Sequence, residues 1–72
     1  MTVMVTLHEQ GLTRTETVDF PGPVEAAEAL LKVGVSNLSG RGLSVQGRSI
    51  TPTTRLEQPG TELEVHPHPV FG

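Results

Sequence analysis

The chain has 72 residues, a formal net charge of −3 and no cysteine, which fits a single small domain. The missing cysteines exclude disulfide staples, Cys-ligated zinc, iron–sulfur clusters and thiol catalysis. Stability must then come from packing, from a metal held by other ligands, or from a partner.

Five basic residues, Arg14, Lys32, Arg41, Arg48 and Arg55, are scattered along the chain, and Phe20 and Phe71 are its two aromatics. Nucleic acid recognition needs clustered cations or stacking rings, so no nucleic acid partner is expected. The stretch from Met1 to Leu7 has neither a basic flank nor a long apolar run, so it does not read as a signal peptide. Nothing approaches the ~20 apolar residues of a spanning helix. The expectation is a cytoplasmic chain with no membrane partner.

Val3, Val5 and Leu7 alternate with Thr2, Met4 and Thr6, the period of a half-buried strand. Glu9-Gln10-Gly11 reads as a turn, because Gly11 adopts a positive φ without a Cβ clash. A second alternating run spans 13–20, with Glu16, Val18 and Phe20 on one face and Thr15, Thr17 and Asp19 on the other. Pro21-Gly22-Pro23 ends this hairpin, and a helix is predicted over 24–33. Its stripe is Val24, Ala27, Leu30 and Leu31, with Glu25 and Glu28 near the positive end of the helix dipole and Lys32 near the negative end. Gly34 is the expected helix-ending residue.

Asn37 to Gly42 reads as a loop. Leu43 and Val45 form a short strand, Gln46-Gly47 turns the chain, and Ser49-Ile50 returns it. Leu56 is an apolar anchor in the loop that follows Pro52, and Pro59-Gly60 turns into the alternating strand 62–65. Residues 66–72 contain Pro67 and Pro69, which remove ladder donors, so they are expected to run extended as a tail. The domain proper is therefore 1–65 and the tail 66–72.

A lone helix after a first hairpin must bury its stripe on one face of a sheet. The predicted class is α+β, a β-grasp (ubiquitin-like) domain with a mixed sheet of four to five strands and one helix across one face. First and last strands would lie parallel at its centre. The predicted core is Val3, Val5, Leu7, Val18, Phe20, Ala27, Leu30, Leu31, Val45, Ile50, Leu56, Leu63 and Val65. That topology also brings His8 near His66. Three imidazoles, with His68, are zinc or copper ligands by type. The stiff tail and the lack of a fourth ligand beyond the adjacent Glu9 favour solvated histidines, so neither metal nor cofactor is expected. Glu25 and Glu28 read as dipole partners rather than an acid–base pair, and no serine or threonine is joined by motif to a histidine and an acid.

From Leu43 onward the chain resembles the sulfur-carrier branch of the ubiquitin-like superfamily, the small subunit of molybdopterin synthase and the thiamine-pathway sulfur carrier. Val45-Gln46-Gly47-Arg48 is similar to the V-N-G piece of that pattern, and Thr54-Arg55-Leu56 to its T-P-L piece. Residues 59–65 are similar to its turn and last strand, and Pro67-His68-Pro69-Val70-Phe71-Gly72 to its P-P-V-x-G-G tail. The resemblance implies a carrier that is not itself an enzyme. Its terminal carboxylate would be adenylated by a partner enzyme with ATP, after which sulfur replaces AMP. The partner implied is an adenylating enzyme or a sulfurtransferase.

The ending departs from the pattern. Either Phe71 replaces the penultimate glycine, or Phe71 is the variable residue and the last glycine is missing. Val70 and Phe71 form an apolar tip that suits a partner's pocket or, alternatively, folds back on the sheet edge. The alternative function is a ubiquitin-like domain without terminal activation, acting as a noncovalent interaction module or as a structural component bound to an assembly partner. Candidate site residues are Pro69, Val70, Phe71 and Gly72.

Overall fold

Alternation of apolar and polar residues at both ends of the chain makes two strands, each able to bury one face. The computed structural model describes residues 1–9 and 11–68. In chain order these form β1 (Thr2–Glu9), β2 (Leu12–Asp19), β3 (Val24–Glu25), α1 (Ala26–Lys32), β4 (Gly42–Val45), β5 (Arg48–Ile50), β6 (Arg55–Leu56) and β7 (Thr61–His66). The fold is α+β. Its main sheet is mixed and five-stranded, in the order β2-β1-β7-β4-β5. β1 and β7 are parallel neighbours, with Val5 opposite Leu63 and Leu7 opposite Val65. Every other pairing in the sheet is antiparallel.

Opposed residues in a ladder share a face, so register sorts the side chains. Val3, Val5, Leu7, Leu43, Leu63 and Val65 lie on the face that meets Ala26, Ala29 and Leu30 of α1, and all are buried. Phe20, Val45 and Ile50 pack against this core from its margin, and Val18 is half-buried. Leu56, the expected loop anchor, is also buried.

The helix departs from expectation in both start and rotation. Val24 pairs with Leu56, and Glu25 with Arg55, in a two-stranded ribbon. The helix therefore begins at Ala26 rather than at residue 24. Its first donors are satisfied by the neighbouring loop, since Ala26 and Ala27 N–H donate to the carbonyls of Thr54 and Pro52, each at 2.9 Å. A side-chain cap is thereby unnecessary, and Glu25 makes none. The buried stripe is Ala26, Ala29 and Leu30. Ala27 is half-buried and Leu31 is 64% exposed, so two of the expected core residues are displaced. Two alanines let the helix backbone lie close to the sheet, and the ribbon holding Val24 fixes which side faces down.

The far end of α1 follows local chemistry. Val35 N–H donates to Leu30 O at 2.9 Å and Gly34 N–H to Leu31 O at 3.1 Å, with Gly34 at φ 87°. This is a Schellman closure, which favours glycine at the left-handed position. The β4–β5 turn needs two consecutive positive φ values, met by Gln46 at 51° and Gly47 at 80°.

Two stability measurements check this packing. Leu30→Ala should destabilise by about 2–5 kcal/mol, whereas Leu31→Ala should change stability by no more than about 0.5 kcal/mol. Equal melting shifts for the two would refute the helix rotation. Gln46→Asn, which suits the left-handed first turn position better, should stabilise by a few tenths to about 1 kcal/mol. A lower denaturant midpoint would contradict that turn geometry.

Candidate functional site

The parallel pairing of β1 and β7 brings the C-terminal ends of both strands to one edge of the sheet. His8 and His66 follow directly on the last opposed pair, Leu7 and Val65. Their side chains therefore emerge on the open face, away from α1. The two rings stack with centroids 5.0 Å apart and planes within 8°. The expected approach of these histidines is thus realised as direct ring contact.

Each ring has its own polar partner. The Glu64 carboxylate accepts from His8 Nε2 at 2.9 Å. With its proton on Nε2, the neutral His8 ring offers Nδ1 as an acceptor to the Thr13 hydroxyl, 3.5 Å away. Ser44 Oγ lies 3.1 Å from His66 Nε2. Serine, histidine and glutamate therefore converge, but as two separate pairs joined by ring stacking. A hydrolytic relay requires one histidine between the acid and the nucleophile. Ser44 is moreover 2% exposed, beyond the reach of a substrate. The cluster fastens β1, β7 and β4 to one another. Among the described residues, no group of three histidine, aspartate or glutamate side chains is placed to hold a metal ion.

Beside this cluster, β7 ends and Pro67 begins the outgoing segment. A groove of about 420 Å³ borders that exit, lined by His8, Glu9, Asn37, Ser39, Arg41 and Pro67. Its wall is held by local contacts. Ser39 N–H donates to Asn37 Oδ1 at 3.1 Å, and Arg41 reaches Glu9 at 3.9 Å. A second groove, of about 440 Å³, lies at the opposite end of β7 between the β4–β5 turn and β6, and includes Arg48, Ile50 and Arg55. The expected tail residues Pro69, Val70, Phe71 and Gly72 lie outside the described residues. No helix among the described residues is long and apolar enough to cross a membrane.

Ser44, Glu64, Thr13 and Arg41 were not singled out by sequence. Alternation puts Glu64 and His66 on one face of β7, which was a usable signal. Ser44 and Thr13 required the register of β4 and β2, which no local pattern supplies.

The histidine pair is open to a graded stability test. His8→Phe keeps a ring against His66 but loses the Glu64 hydrogen bond, whereas His8→Ala loses both. One hydrogen bond contributes about 0.5–1.5 kcal/mol, and 1 kcal/mol shifts Tm by about 4–8 °C in a domain of this size. Parent should melt highest, His8→Phe lower and His8→Ala lowest. An unchanged melt for His8→Ala would remove the fastening role. Comparison with known protein families, with characterised proteins and with solved structures gave no match.

Proposed function

We propose that the chain is a β-grasp domain of the ubiquitin-like kind, acting as a sulfur-carrier-type protein. In this reading Gly72 is presented to an adenylating partner enzyme and the domain performs no catalysis itself. The observation that carries the reading is the position in the fold of the motif pieces that precede the tail. Gln46-Gly47 makes the two-residue β4–β5 turn, with both φ values positive. Arg55-Leu56 is the short β6, whose leucine is buried. Pro59-Gly60 turns the chain into β7, and Leu63 and Val65 are core. β7 lies at the sheet centre, parallel to β1. A strand so placed gives the residues after it a rigid base beside the groove at His8 and Arg41. Pro67 and Pro69 each fix their own φ, which lowers the ordering cost of entering a partner's channel.

The Phe71-Gly72 ending favours a second reading, a noncovalent module whose Phe71 anchors in a partner's apolar pocket. A glycine pair admits close backbone approach, whereas a phenylalanine beside the last glycine supplies apolar surface instead. Burying that ring contributes about 1.5–3 kcal/mol, roughly ten- to a hundredfold in affinity.

The experiment uses protein ending at Gly72, incubated with ATP and an adenylating enzyme of the sulfur-carrier pathways. Mass spectrometry should detect an acyl-adenylate that hydroxylamine discharges, and one residue appended after Gly72 should abolish it. Phe71→Gly should react at least as well as the parent. If the parent stays unmodified with an enzyme active on its own carrier, the carrier reading fails. The module reading then expects Phe71→Ala to bind the natural partner about ten- to a hundredfold more weakly with an unchanged melt.

A further inference from the structure

The sheet has two edges of very different character. β5 is three residues long and runs into Thr51-Pro52. β2 is eight residues long, holds its register with β1 without a bulge, and contains neither proline nor lysine. Short edges, bulges, prolines and charged side chains, lysine above all, are the usual protections against strand addition. β2 has no bulge, proline or lysine, its charges are Arg14, Glu16 and Asp19, and among the described residues no strand covers it.

The hydrogen-bonding phase of that edge follows from its last pair. Met1 and Phe20 exchange both backbone hydrogen bonds, Phe20 N–H to Met1 O and Met1 N to Phe20 O. Counting back by twos, Val18, Glu16, Arg14 and Leu12 bond inward to β1. Thr13, Thr15 and Thr17 therefore direct their N–H and C=O groups outward. In an antiparallel ladder, opposed residues share the same phase, so a two-fold axis must pass through a residue of β2 rather than between two.

Charge then selects the residue. An axis at Arg14 opposes that arginine to its own copy, and an axis at Glu16 opposes two glutamates. An axis at Thr15 sets Arg14 opposite Glu16 twice over, Leu12 opposite Val18 and Thr13 opposite Thr17. The hydrogen-bonded pairs are Thr15 with Thr15, and Thr13 with Thr17 in both directions. Arg14 and Glu16 fall at the non-hydrogen-bonded positions, where opposed side chains approach most closely. Arg14 is exposed and Glu16 half-buried in the single chain, and they stand 3.4 Å apart within it, so the paired chains would carry a ring of alternating charge around the axis. Leu12, at 76% the most exposed large apolar side chain among the described residues, gains an apolar neighbour in Val18.

We propose that the β2 edge is a homodimer interface, with a second copy of this chain added antiparallel about a two-fold axis at Thr15. The axis stands perpendicular to the sheet, so both helices lie on one side of a continuous sheet and both histidine stacks on the other.

Sedimentation equilibrium on the whole chain, from about 10 µM to about 1 mM, tests this. The parent should show a reversible monomer–dimer equilibrium. Arg14→Glu makes both charges flanking Thr15 acidic, and Glu16→Arg makes both basic. Each alone should dimerise at least about tenfold more weakly. An equimolar mixture of the two should recover association as a heterodimer, since every opposed pair is again of opposite sign. Circular dichroism melts check that both variants fold. Should one not fold, the parent's amide NMR shifts decide, and concentration should move Thr13, Thr15 and Thr17 most. A parent monomeric at the highest concentration overturns the proposal. So does an Arg14→Glu variant that associates like the parent, a mixture of folded variants that stays monomeric, or concentration-dependent shifts confined to another surface.

Discussion

The parallel contact between β1 and β7 joins opposite ends of the chain, and the rest of the molecule is arranged around it. Because parallel strands cannot be linked by a tight turn, everything between them must form a crossover. β2 returns along the outer side of β1, α1 crosses the buried face, and β4 closes on the outer side of β7. The pairing stacks Val3, Val5 and Leu7 beside Leu63 and Val65, leaving all five with almost no accessible surface. A sheet central enough to be dry on one face is what gives a short helix somewhere to bury Leu30. The closure entropy of so long a crossover grows only slowly with its length, so a modest apolar core offsets it.

The same contact sets the polar face. A parallel register with Leu7 opposite Val65 obliges His8 and His66 to meet, and their rings stack rather than repel. Glu64 and Ser44 then satisfy one imidazole each. Groups that would make a catalytic relay in another order here cross-link three strands. The order of the partners decides between these outcomes. A buried serine paired with one histidine and a carboxylate paired with another cannot pass a proton along a single line. The groove next to this cluster lies where the chain leaves β7, so the rigidity of the histidine stack and the course of the outgoing segment share one edge of the sheet.

The exit groove and the β2 edge differ in kind. The exit groove mixes Glu9 and Arg41 with uncharged polar side chains, which suits a backbone passing across it more than an apolar ligand. The β2 edge offers repeated threonine backbone groups bracketed by one basic and one acidic residue, a pattern complementary to itself when reversed. Threonine hydroxyls tie that strand to β1 on the open face, with Thr6 and Thr15 3.1 Å apart and Thr2 donating to Asp19 at 2.7 Å. The strand is thus held straight along its inner side while its outer ladder faces away from the domain.

Near-neighbour chemistry in the sequence determined the alternating strands, the turns and the glycine that ends α1. Each follows from a period of two or from a glycine that tolerates the left-handed conformation other residues avoid, and neither depends on distant contacts. Tertiary structure alone decided the start and rotation of the helix. The stripe read from spacing took in Val24, Ala27 and Leu31, but pairing of Val24 with Leu56 removes that residue from the helix. The remaining turns then roll onto Ala26, Ala29 and Leu30. A seven-residue helix has too few positions to fix its own phase, because several stripes of leucine and alanine are nearly equivalent until one meets a surface. The partners of the histidines were hidden for a related reason. Ser44 and Thr13 come beside them through strand register, and register is a property of two segments paired together, which neither contains by itself.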